Sequence, residues 1–136
     1  MNLEIQEITL SSGQKAQYEY DHDSDLLEIF FCQDEAAAAI ELTESIVLRF
    51  DWETSTPLSL SLISASCLVQ PTEFGEKHFQ LLTDEWPDKV RDQVWVMLRK
   101  PPLSDFLKIS SYVSAHTHRF IPITSIVPPG RILQIA

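Results

Sequence analysis

The sequence predicts an α+β fold: an antiparallel β-meander packed against one main amphipathic α-helix, with extra strands toward the C-terminus. Three observations predict it. Short apolar/polar alternations recur from Leu3 to Ile63 and are separated by turn residues. One stripe with helical spacing runs from Trp86 to Leu98. Alternation then returns between Leu107 and Val127. At 136 residues the chain reads as a single α+β domain, with the meander in 1–70 and the helix plus C-terminal strands in 71–136.

Leu3, Ile5, Ile8 and Leu10 fit a first strand with a bulge near Gln6, and Ser11-Ser12-Gly13-Gln14 turns the chain back. Residues 15–21 return with Tyr18 and Tyr20 on one face. His22-Asp23-Ser24-Asp25 is a tight turn, because short polar side chains bond nearby amides. Residues 26–31 are apolar at five of six positions, which predicts a central strand covered on both faces. After a loop over 32–39, residues 40–42 and 46–51 flank Thr43-Glu44-Ser45 as a hairpin. Residues 58–63 alternate Leu with Ser, so the leucines face inward and Ser59 and Ser61 outward. No internal repeat stands out.

Residues 72–82 are mixed, with Gly75 as a break. The main helix is expected over 84–100, with Trp86, Val90, Val94, Met97 and Leu98 on its apolar side and Pro101-Pro102 as its stop. Residues 107–113 and 120–127 read as strands, the second near a sheet edge because of Pro122. Residues 131–136 form a short apolar tail.

Charge is unevenly spread. Residues 1–53 carry thirteen Asp and Glu against Lys15 and Arg49, a net of −11, and 54–136 carry seven acids against eight basic residues, a net of +1. An acidic half repels phosphate, so nucleic acid is not an expected partner; a basic protein or a second copy is. No apolar run reaches the length of a membrane span, and the acidic start is unlike a signal peptide, so the cytoplasm is the expected location. Cys32 and Cys67 lack C-x-x-C spacing and read as buried, reduced thiols.

Tyr20-Asp21 with Asp25, Leu27 and Ile29, then residues 46–48 with Asp51, then 58–63 followed by Ala65-Ser66, make a pattern over residues 15–67. It resembles a domain-of-unknown-function family of short bacterial and archaeal proteins. Its members read YD-x-x-x-D-x-L-x-I, then V-x-x-D-x-D-x-x-G-x-x-x-G-I-E-I-x-x-A-S. The chain departs from it where the turn glycine is missing from 52–57, and where Ser59 and its neighbours replace the strand glycine and glutamate. The resemblance implies no assigned activity. It does imply, for some members, pairing in toxin–antitoxin-type gene pairs, and it marks Tyr20, Asp21, Asp25 and Asp51 as motif or interaction residues.

Chemistry-bearing motifs are few. Asp21-x-Asp23-x-Asp25 opens like a calcium loop, but the loop glycine is missing and Cys32 stands where the bidentate glutamate belongs. His116 and His118 form a metal-capable pair on an extended chain, two ligands where structural zinc takes four. There is no nucleophile elbow and, with three glycines, no phosphate-cradling loop, so no cofactor is expected. The sequence therefore points to a non-enzymatic acidic protein-interaction module, self-associating as a homodimer or antitoxin-like. The alternative is a small ligand- or metal-binding protein or enzyme with a polar site from Asp21, Asp25, Asp51 or His116 and His118.

Overall fold

A computed structural model describes residues 2–33, 38–69 and 77–127. The first half is β1 (Leu3–Thr9), β2 (Lys15–Asp21), β3 (Leu26–Phe30), β4 (Ala38–Thr43), β5 (Ile46–Asp51) and β6 (Thr56–Ile63). They form one antiparallel sheet in the order β1-β2-β3-β6-β5-β4. Strict alternation selects its inner face: Tyr18 and Tyr20, Leu27 and Ile29, Ile46, Leu48 and Phe50, and Leu60 and Leu62 are all buried.

A short helix α1 (Ala65–Val69) follows β6. Beyond it come β7 (Phe79–Gln80), a 3-10 turn at Thr83–Glu85, helix α2 (Asp88–Leu98), a second 3-10 turn at Leu103–Asp105, β8 (Leu107–Val113) and β9 (Phe120–Ile126). β7, β9 and β8 make a second antiparallel sheet, in that order. Both sheets feed one hydrophobic cluster, in which Val94, Met97, Leu98, Leu103, Phe106, Leu107 and Ile126 join the inner face of the first sheet. Phe31 and Phe106 meet with ring centroids 5.8 Å apart. Hydrogen bonds bind the layers too: Leu82 N–H donates to Leu42 O at 2.8 Å and the Trp86 side-chain Nε1–H to Glu41 O at 2.8 Å.

The expected α+β meander lidded by one main helix is corrected on two counts. First, strand makes up 48% and helix 19% of the described residues, and only one helix among them exceeds two turns, so this is a predominantly antiparallel β structure. The second sheet and its approach supply much of the cover that the sequence reading gave to the helix. Second, the strand order is not sequential, because after β3 the chain crosses to the far edge and returns to set β6 beside β3.

Pro87 is the physical reason that the helix is short. The residue before a proline avoids the helical region, and Trp86 is extended (φ −74°, ψ 136°). The acidic segment ahead of it therefore closes as a separate 3-10 turn, and α2 begins only at Asp88. Trp86 is buried from the break, not from the helix.

Several smaller expectations also change. β1 pairs with β2 without a bulge. β3 is half-buried on its outer face, not covered there. Ser59 is buried and Ser61 half-buried. Cys32 and Cys67 are exposed free thiols. The expectations for most of the 34–39 loop, for 72–76 and for the 131–136 tail fall outside the described residues. No helix among the described residues is long and apolar enough to cross a membrane.

An internal repeat that the sequence reading missed organises the first sheet. In the β2–β3 turn, Asp23 N–H donates to Asp21 Oδ1 at 2.9 Å, and Asp25 takes a φ of 56°. In the β5–β6 turn, Glu53 N–H donates to Asp51 Oδ1 at 2.9 Å, and Ser55 takes a φ of 56°. A buried aromatic residue, Tyr20 or Phe50, precedes each aspartate. With β3 antiparallel to β6 at the centre, the two hairpins are related by an approximate two-fold normal to the sheet.

Candidate functional site

The repeat fixes where the motif acids lie. Asp21 and Asp25 close the turn at one end of the sheet, next to Ile63 across the β3–β6 pairing. Asp51 closes the equivalent turn beside Thr56, at the other end. Along β6 those ends stand about 23 Å apart at strand rise. Asp51 therefore does not join Asp21 and Asp25 in one polar site.

Asp25 is the hub of the first turn. Its carboxylate accepts from Tyr20 Oη at 2.6 Å, Ser66 Oγ at 2.7 Å and the Ser66 N–H at 3.0 Å. Its main-chain oxygen accepts from Ala65 N–H at 2.9 Å. One residue in left-handed backbone thus ties β2, β3 and the start of α1 together. The Tyr-Asp, Asp and Ala-Ser pieces of the motif, far apart in sequence, meet at this point.

The electrostatics match a clamp. Partial burial pushes the Asp25 carboxyl up, but the three hydrogen bonds outweigh it and hold the group below the usual carboxylate value. The hydrogen bond to Asp25, burial, and the charges of Asp25, Asp21 and Glu4 push the Tyr20 phenol up to about 12. Asp21, capping the turn through the Asp23 N–H, is also lowered. A lowered carboxylate is a poor base and a raised phenol a poor acid, so at neutral pH the two aspartates stay ionised and the phenol keeps its proton. The His22 ring lies edge-on to Tyr20, 4.5 Å between centroids.

At the second turn Ser55 plays the corresponding part. Gln93 Nε2, on α2, donates to Ser55 Oγ at 2.7 Å and to Trp52 O at 2.5 Å. Each turn thereby anchors the helix that packs beside it.

His116 and His118 sit exposed in the β8–β9 hairpin loop, with His118 at a φ of 56°. Among the described residues no three His, Cys, Asp or Glu side chains are grouped to hold a metal ion. A cavity of about 490 Å³ lies between residues 80–85 and the β8–β9 hairpin, with Asp84, Glu85 and Arg119 in its lining. Sequence reasoning did not single it out.

The broadest feature is the outer face of the six-stranded sheet. The register places Ile5, Glu19, Glu28, Ser61, Val47 and Glu41 in one row across all six strands. A neighbouring row carries Glu7, Phe30, Ser59 and Arg49, and Leu3, Asp21, Leu26 and Ile63 lie on the other side. Ile5 is 56% exposed and Ile63 45%. Among the described residues, the acids Glu7, Glu19, Asp21, Glu28, Glu41 and Asp51 face only Lys15 and Arg49 there. Lys15 already pairs with Glu7 at 3.6 Å. Ser59 Oγ, in the middle of this face, is buried with no hydrogen-bond partner among the described residues. Alternation alone foretold an outer face; the strand order that gathers its acids was not legible.

No model of a known protein family, no curated protein and no solved structure matches the chain.

Proposed function

We propose that the protein is a non-enzymatic interaction module whose six-stranded sheet offers its outer face to a basic protein partner. The observation that carries this reading is the mixed face itself, with exposed and half-buried Leu3, Ile5, Leu26, Phe30, Val47 and Ile63 set among six acids and two cations. Apolar area with an unbalanced rim gives a partner both burial and steering. The clamp role of Tyr20, Asp25 and Ser66 supports the same reading, because it gives the motif residues a structural task. The resemblance to a family with toxin–antitoxin-type pairs suggests a partner encoded next door as a small basic protein. Exposed free Cys32 and Cys67 fit a reducing compartment, and the reading places the protein in the cytoplasm.

The test is capture at low salt from the native host, with the wild type and with a Glu19→Lys/Glu28→Lys variant of matched melting temperature. The wild type should retain a basic protein that salt releases, and the variant should not. Equal retention by both, or none by the wild type, rejects the reading.

A further inference from the structure

The cavity beside the β8–β9 hairpin gathers charges of both signs that do not pair with one another. Asp84 and Glu85 line it from the 3-10 turn and Arg119 lines it from the hairpin. Among the described residues, none of the three side chains comes within 4.0 Å of a charge of opposite sign. The cavity holds them apart, so only a molecule that spans it can match all three.

The main chain adds a donor and an acceptor at the same place. Ser114 N–H donates to Arg119 O at 3.0 Å and Val127 N–H to Phe106 O at 2.8 Å, so the odd-numbered residues of β9 turn their main-chain groups toward β8. The even-numbered ones turn theirs toward β7, as Leu81 N–H shows by donating to Pro122 O at 3.0 Å. β7 ends there, because Leu82 leaves β9 to donate to Leu42 O. The Phe120 N–H and carbonyl therefore face the cavity with no partner among the described residues. Phe120 itself is 75% exposed, so the place is reached from solvent.

We propose that this cavity binds a free basic α-amino acid, lysine or arginine. The charged lining is two carboxylates and one guanidinium, and the ligand is two cations and one carboxylate. Its α-carboxylate fits the Arg119 guanidinium and the Phe120 N–H, both donors suited to an anion. Its α-ammonium fits the Phe120 carbonyl and one of the acids, and its side-chain cation fits the other. The methylene stem then lies along Leu82, Ile121 and Pro122, which are half-buried in the lining. A neutral amino acid leaves one acid unmatched, and a diamine leaves Arg119 unmatched. A lysine within a peptide chain has neither free α-group. The cavity has the size of a small-molecule site and shares no lining residue with the acidic outer face, so this inference goes beyond the interaction reading.

The experiment is equilibrium dialysis of the full chain against radiolabelled L-lysine and L-arginine at low salt. Unlabelled competitors are norleucine, the diamine cadaverine and lysine capped at both α-groups. The wild type should bind one amino acid per chain, and each competitor should displace it about tenfold less well than lysine does. Arg119→Gln, Asp84→Asn and Glu85→Gln should each weaken lysine binding about tenfold at an unchanged melting temperature, since all three side chains are exposed. Asp92→Asn, an exposed acid outside the lining, should leave binding as it is. A wild type that retains neither amino acid at millimolar concentration overturns the proposal. So does cadaverine or capped lysine competing as well as lysine, or lysine binding that is indifferent to Arg119→Gln.

Discussion

Asp25 concentrates more of the architecture than any other polar residue described. Tyr20→Phe removes one hydrogen bond to a charged acceptor at a partly buried site and should cost about 1–2 kcal/mol in chemical denaturation. Ser66→Ala should cost about 1 kcal/mol, and because both hydroxyls share one carboxylate the double variant should depart from additivity. The pH dependence has a definite sign. With the folded Asp25 value below the ordinary 3.8, its contribution is complete above that value and is lost as pH falls through the depressed folded value. With Tyr20 raised from 10.0 to about 12, its contribution is complete below pH 10 and is lost as pH rises from there through about 12. Asp25→Asn, which tolerates the left-handed backbone and does not titrate, should flatten the acid limb of a stability-against-pH profile. An acid limb identical to the wild type's would take Asp25 out of that role.

At the scale of elements, the strands were legible and their partners were not. Alternation locates β5 to the residue, because period two survives where one face is buried, and it locates β8 as well, although only Leu107 is buried there. It carries no record of strand order, so the placement of β6 beside β3 had to come from the structure. The repeat escaped for a related reason, since a shared turn geometry is carried by Asp-Ser chemistry in one copy and Glu-Thr-Ser in the other. The helix boundary was misjudged because the apolar stripe passes through Pro87 unbroken while the backbone does not. Arg91 bridges that break, donating from Nε to Thr83 O at 3.0 Å and from Nη2 to Trp86 O at 2.8 Å. Arg91→Ala should destabilise by about 1–2 kcal/mol. Lysine, which lacks the fork, should recover only part of that loss in the same denaturation series.

As a whole, the described residues form two antiparallel sheets and two helices, α1 and α2, around a shared apolar cluster, and they leave one broad sheet face outward. Leu60, fully buried near the centre of the first sheet, should lose about 2–5 kcal/mol as alanine, with a lowered melting temperature as the readout. Of the candidate polar site, the sequence supplied the residues but not their separation: the approximate two-fold that makes Asp21 and Asp51 equivalent also sends them to opposite ends. The acidic face is the converse case, assembled by topology from strands distant in sequence. Zero-length carboxylate-to-amine cross-linking of the captured complex, read by mass spectrometry, tests that face most directly. The account predicts links from Glu19, Glu28 and Glu41 to partner lysines; links confined to acids off the face, such as Asp84, Glu85 and Asp92, would contradict it.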